Sequence, residues 1–208
     1  MKVVIIKYNA GNVQSVKYAL ERLGIEPVLS DDEQEIRSAD KVIFPGVGEA
    51  STAMYYLRQK GLDTIIPTLE QPVLGVCLGL QLMCRHSEEN NTDCLNIFDI
   101  AVRKFDNSLT SGTEPVKIPH MGWNTIYDYK SVLLKGLPEQ AYVYYVHSYY
   151  AEMSEYTIAT TNYIHPFSAM LHQDNFYACQ FHPEKSGEAG ASILANFISI
   201  REKMLVSN

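Results

Sequence analysis

One thiol, Cys77, lies in the stretch Gly75-Val76-Cys77-Leu78-Gly79, with a glycine two residues away on either side. The apolar run Pro72-Val73-Leu74 precedes it and a helical pattern follows. A buried strand that turns sharply into a helix strains its junction residue and crowds the positions two before and two after. That is the logic of the G-x-S-x-G nucleophile elbow, here with cysteine in place of serine. Such a turn lifts the sulfur above the carboxyl end of a sheet, where open α/β folds bind ligands. It also sets the thiol at a helix N-terminus, whose free N–H groups and dipole favour a thiolate. The plainer reading, a buried cysteine packing as a small apolar residue, stays open on this stretch alone. Cys84, placed within the same helix, Cys94 and Cys179 read as structural.

A thiol nucleophile needs a base, and the base needs a group to hold it. Gln180-Phe181-His182-Pro183-Glu184-Lys185-Ser186 offers both. In extended chain His182 and Glu184 point to the same side, so the carboxylate can fix the imidazole. A surface His and Glu in a loop is the alternative. No C-x-x-C or H-E-x-x-H occurs, and H-x-E lacks the downstream P-C-x-x-C of zinc deaminases, so no metal is expected.

The elements that must position these groups alternate in the first hundred residues. Val3 to Ile6, Pro27 to Leu29, Lys41 to Phe44 and Pro72 to Val76 read as short buried strands. Helices are expected from Val13 to Leu23 with Gly24 closing it, from Ala50 to Lys60, from Asp63 to Leu69 and from about Leu78. Short apolar strands alternating with helices imply a mostly parallel sheet with helices on both faces. Later strands are expected at Ile97 to Phe105, Asn124 to Tyr129, Tyr142 to Ala151, Thr157 to Asn162, Phe167 to His172 and Phe176 to Phe181. They read as an antiparallel extension of that sheet, followed by a helix from Ala189 to Leu205. With no repeat or long linker, the 208 residues read as one domain.

The net charge of −7, with scattered Lys and Arg, argues against a nucleic-acid or anionic-membrane surface. The N-terminal apolar run is too short for a signal peptide and reads as a first strand. Four cysteines outside any secretory context suggest free thiols in a reducing, cytoplasmic compartment.

GVCLGLQ together with QFHPEKS resembles the class I, or triad, glutamine amidotransferases. YNAGN (Tyr8 to Asn12), FPGVG (Phe44 to Gly48), PHMGWN (Pro119 to Asn124) and YVHSYY (Tyr145 to Tyr150) are similar to stretches of the glutaminase subunits of imidazole glycerol phosphate synthases. The chain departs from that pattern at Ala10, where a glycine-rich turn is commoner, and in VCLGLQLMCRHSEE. The resemblance implies a three-layer, flavodoxin-like α/β fold over residues 1–208. It implies that Cys77 attacks the side-chain amide of glutamine, forming a thioester, that His182 moves the protons and that Glu184 orients His182. The backbone N–H groups of Leu78, Val47 and Gly48 would form the oxyanion hole. Gly46, Gln81, His147, Ser148 and Tyr149 would bind glutamine. Glycines in Pro45-Gly46-Val47-Gly48 permit a peptide flip, expected to be the switch thrown by a bound partner. That partner would be a (β/α)₈-barrel cyclase subunit in a heterodimer, docking on exposed Asn12, His120, Met121, Trp123 and Lys185. No cofactor is implied. The competing readings are a paralogue feeding a sugar-modifying synthase, a silent scaffold and a peptide-cleaving cysteine hydrolase.

Overall fold

The computed structural model describes residues 1–8, 12–106, 108 and 116–200. The first half runs β1 (Val3–Ile6), α1 (Val13–Arg22), β2 (Val28–Ser30), α2 (Glu33–Arg37), β3 (Lys41–Phe44), α3 (Ala50–Gln59), α4 (Leu62–Ile65), β4 (Val73–Val76) and α5 (Leu78–Met83). The second half runs β5 (Cys84–Ser87), β6 (Thr92–Asp93), β7 (Phe98–Lys104), β8 (His120–Ile126), β9 (Ala141–His147), β10 (Tyr149–Ala151), β11 (Thr157–Tyr163), β12 (His165–Gln173), β13 (Phe176–Cys179) and α6 (Gly187–Ser199).

A seven-stranded sheet in the order β11-β12-β13-β4-β3-β1-β2 organises the molecule. The strands from β13 to β2 are mutually parallel, while β12 and β11 extend the sheet antiparallel. Read from the far edge, the parallel part has the 2-1-3-4-5 order of flavodoxin-like sheets. Strands β1, β3, β4 and β13 are buried at every residue, as a sheet covered on both faces requires. Their side chains alternate. Val4 and Ile6 join the core under α3, α4 and α5, whereas Val3 and Ile5 join the core under α1 and α6. At the edge, β2 leaves Val28 and Leu29 exposed.

The expected antiparallel extension holds only for β11 and β12. Strands β10, β7, β5 and β6 form a separate four-stranded sheet, and β8 with β9 a two-stranded one. Alternation alone could not say which sheet a strand joins. The single strand expected over Tyr142 to Ala151 breaks at Ser148, passing from one small sheet to the other. Cys84 is not helical: α5 stops at Met83 and Cys84 opens β5. The helix expected over Asp63 to Leu69 is α4 followed by a 3₁₀ turn at Ile66–Thr68, with Pro67 in its first turn. Helix α6 ends at Ser199, and the expected continuation to Leu205 lies outside the described residues. Helix α2, capped by Asp32 accepting from the Glu35 N–H, has too few apolar positions to show a period.

Candidate active site

Parallel strands deliver their carboxyl ends to one edge. Because β3, β4 and β13 are adjacent, with Phe44 beside Gly75 and Val76 beside Cys179, the loops after them converge. The first carries Pro45-Gly46-Val47-Gly48, the second Cys77, and the third Gln180 and His182.

The elbow is present at Cys77, whose φ of 52° and ψ of −106° lie outside the regions that L residues favour. Its N–H donates to the Cys179 carbonyl at 2.8 Å, tying the turn to β13. The flanking glycines have different reasons. A Cβ on Gly75 would meet the Gly79 backbone at 3.0 Å, as expected of the crowded pair. A Cβ on Gly79 would collide with the Phe44 carbonyl oxygen, so there the neighbouring strand excludes a side chain.

His182 and Glu184 meet, though not through extended chain. Strand β13 has ended, and Pro183–Lys185 forms a 3₁₀ turn that folds the carboxylate back onto the ring. Glu184 Oε1 lies 2.8 Å from His182 Nδ1, and both side chains are only 1% exposed. Asn12 Nδ2 donates to the same oxygen at 2.6 Å. The turn is anchored to β9, where the His182 N–H donates to the Tyr144 carbonyl. Ser186 Oγ accepts from the Tyr144 N–H and donates to the His182 carbonyl. Burial drives His182 toward its neutral form. The Cys77 sulfur beside it and the Glu184 carboxylate outweigh that and raise its pKa to about 10, which favours the protonated ring. His182 Nε2 makes no well-formed hydrogen bond among the described residues. Its relation to Cys77 is therefore a close approach, of the kind that tightens when substrate binds.

The loop after β3 is closed against the turn at Cys77. The Leu78 N–H, expected in the oxyanion hole, donates to the Gly46 carbonyl at 3.3 Å. Tyr8 OH donates to the preceding carbonyl, that of Pro45, at 2.5 Å. Burial and the nearby Cys77 raise the pKa of this phenol, which keeps it a donor. Gly46 has no room for a side chain between Tyr8 and Leu78. Gly48 has a φ of 126°, open to glycine and strained for anything else.

A cavity of about 330 Å³ opens at Cys77, lined by Val47, Gly48, Leu78 and Gln81 and by the 146–149 segment. Gly46 is not among its lining residues; it packs behind the loop. Glu89, which sequence reasoning missed, also lines the cavity. It accepts from the Ala50 N–H at 2.7 Å, and burial raises its pKa against that bond. Nothing local in EENN marks it, since it reaches the site from a turn between β5 and β6. Gln180 is a second such residue. It is fully buried and its Nε2 donates to Cys77 Sγ at 3.6 Å. Gln81 Nε2 is committed inside the protein, to the Tyr149 carbonyl at 3.0 Å and Gln180 Oε1 at 3.1 Å.

On the hairpin β8–β9 the alternation sorts the residues expected at a partner surface. Met121 is 66% and Trp123 56% exposed, and Lys185 is exposed nearby. His120 contradicts its expected place. It is 4% exposed and stacked between Tyr145 and Tyr163, at centroid distances of 4.6 and 3.9 Å. In a period-two strand whose odd residues face out, it points in. Asn12 is half-buried and turns its amide to Glu184 rather than outward.

No group of three or more His, Cys, Asp or Glu among the described residues could hold a metal, and no helix there is long and apolar enough to cross a membrane.

A thiol on a strained elbow, facing a carboxylate-bound imidazole across a 2-1-3-4-5 sheet, is equipped for nucleophilic attack on an amide. Consistent with this, the family model described as glutamine amidotransferase class-I matches residues 4–200, and the chain belongs to that family. Among individual relatives, the imidazole glycerol phosphate synthase subunit HisH of Bacteroides fragilis is 59% identical over 200 residues, covering 96% of this chain and 100% of the relative. The protein of that name from Escherichia coli is 46% identical over 202 residues, again covering 96% and 100%. Solved structures share the fold at low identity. A glutamine amidotransferase superposes with a TM-score of 0.70 at 17% identity, covering 94% of this chain and 96% of that one. Another, from Thermotoga maritima, gives 0.62 at 16%, covering 94% and 81%.

Proposed function

We propose that this chain is the glutaminase subunit of an imidazole glycerol phosphate synthase in histidine biosynthesis, acting as one amidotransferase domain. The observation that carries the mechanism is the buried His182–Glu184 pair, 2.8 Å apart, held beside Cys77. Cys77 sulfur attacks the glutamine side-chain carbonyl carbon. The tetrahedral oxyanion collapses as the His182 imidazolium gives its proton to the leaving nitrogen, releasing ammonia and leaving a thioester. Water, deprotonated by the now neutral His182, cleaves the thioester to glutamate and restores the sulfur. Glu184 keeps the ring in register and balances its charge.

Glutamine enters the cavity at Cys77. Glu89 supplies the anionic carboxylate among the described lining residues and receives the substrate's α-ammonium. The backbone at Ser148 and Tyr149 and the Gln81 oxygen face the remaining polar atoms. With the Leu78 N–H bound to Gly46, the hole is closed. Rotating the Gly46–Val47 peptide withdraws the Gly46 carbonyl and turns the Val47 N–H toward the same point. Both donors then meet the oxyanion, and losing one such donor costs about 10²–10³ in rate.

Ammonia released into neutral water is mostly protonated and no longer nucleophilic, so an acceptor site must receive it directly. That supports a heterodimer with a (β/α)₈-barrel cyclase, docked over exposed Met121 and Trp123. The test is glutamate release with and without the barrel subunit and its nucleotide ligand, for wild type and Cys77→Ala. A large ligand-dependent rise abolished by Cys77→Ala is expected. High activity without the subunit, or none with it, overturns the assignment.

A further inference from the structure

The nucleophile sulfur ends a continuous line of hydrogen bonds that begins on β8. Asn124 Nδ2 lies 3.2 Å from His120 Nε2, and His120 Nδ1 lies 2.9 Å from His147 Nε2, its direct cross-strand neighbour. His147 Nδ1 lies 2.7 Å from the Tyr149 carbonyl. Gln81 Nε2 reaches the same carbonyl and Gln180 Oε1, and Gln180 Nε2 reaches Cys77 Sγ.

Every direction along this line is fixed by chemistry. A backbone carbonyl can only accept, so His147 Nδ1 carries its hydrogen and Gln81 presents its nitrogen to Tyr149. Neutral His147 then has a bare Nε2, which accepts from His120 Nδ1–H, and the bare His120 Nε2 accepts from the Asn124 amide. Burial lowers the His120 pKa to about 4 and the His147 pKa to about 3, so both rings are neutral, as the line requires. At the other end, the second hydrogen on Gln81 Nε2 obliges Gln180 to present its oxygen there. The opposite corner of the same amide, its N–H, is thereby aimed at sulfur. Gln180 is 0% and Gln81 4% exposed, so neither has water as an alternative.

We propose that Gln180 is a catalytic residue: its amide N–H, held by Gln81, stabilises the Cys77 thiolate. Hydrogen bonds to an ionised partner are about twice as strong as neutral ones, so the donor acts selectively on the reactive form of the sulfur. The role rests on Cys77 being the nucleophile, but it can be measured without glutamine. Gln180→Met keeps the volume and removes the donor. Gln180→Glu keeps an oxygen for Gln81 and replaces the N–H at sulfur with a carboxylate oxygen. The readout is the rate of iodoacetamide alkylation at pH 7, followed on the Cys77 peptide by mass spectrometry in the full-length chain, with melting curves to confirm folding. Alkylation should slow by about ten-fold or more in both variants. If Gln180→Met folds and reacts at the wild-type rate, the proposal fails. If only Gln180→Glu folds, a wild-type rate there overturns it equally. Glutamate release by the wild-type complex tests the nucleophile assignment separately.

Discussion

The Leu78 N–H and the Gly46 carbonyl are hydrogen-bonded at 3.3 Å, so the turn at Cys77 and the loop after β3 hold each other in a state that leaves this N–H no room for another acceptor. The Tyr8 hydroxyl holds the neighbouring Pro45 carbonyl. A flip of the Gly46–Val47 peptide turns about bonds downstream of that anchor, so the rearrangement is confined to one peptide unit.

Val47→Pro tests the flip. Proline fixes φ at position 47, one of the two torsions about which the Gly46–Val47 peptide turns, and removes the N–H that the flip would deliver to the oxyanion. Partner-stimulated glutamate release should fall by about 10²-fold, the loss of one oxyanion donor, with basal release changing far less. Equal loss of both rates argues against a switch in this loop.

Gly79→Ala probes the elbow itself. The new methyl collides with the Phe44 carbonyl, which is backbone of the central sheet and cannot rotate away. Urea denaturation should show a loss of about 1–3 kcal/mol or more, larger than for Gly75→Ala, where the closest atom is the yielding Met83 sulfur at 2.8 Å and the Gly79 backbone lies at 3.0 Å.

His182 and the His120–His147 pair predict opposite pH dependences. His182 is raised to about 10, so the folded state binds its proton more tightly than the unfolded chain. The stabilisation is complete below about pH 6.5, the unfolded value, and is lost as pH climbs toward 10. Glu184→Gln should flatten the alkaline decline in melting temperature between those limits; an unchanged slope would deny the coupling.

For His120, lowered to about 4 by burial, the unfolded chain binds the proton more readily. Stability is then complete above about pH 6.5 and falls as pH drops toward 4. His120→Phe keeps a ring between Tyr145 and Tyr163 and removes the titration. Its stability should vary less than that of wild type across this acid range, measured by chemical denaturation at each pH.

Trp123→Ala addresses the partner surface. Trp123 is 56% exposed and packs edge-on against Tyr144, at 6.0 Å between centroids. Its removal should leave the melting temperature nearly unchanged and raise the Kd for the proposed cyclase subunit about 30-fold or more, as for an aromatic hot spot. A normal Kd would move the docking face elsewhere.

The elbow and the His-x-Glu pair were legible in the sequence because their constraints are local. Glycines at fixed offsets from Cys77 report a turn too tight for side chains, and short apolar runs between helical patterns report a covered parallel sheet. Even so, Gly79 is required by β3, and the His182–Glu184 contact by a 3₁₀ turn, neither of which spacing could show. Only the tertiary structure decided which sheet each later strand joins, that His120 points inward, that Glu89 lines the cavity at Cys77 and that Gln180 reaches the Cys77 sulfur. Those outcomes depend on which distant strands lie side by side, and a period-two pattern looks the same whichever neighbour a strand acquires. The sequence by itself determined that a strained thiol and a carboxylate-held base exist in one α/β chain. The adjacency of β3, β4 and β13 decided that they meet, because parallel neighbours bring their carboxyl ends to one edge however far apart they lie in the chain.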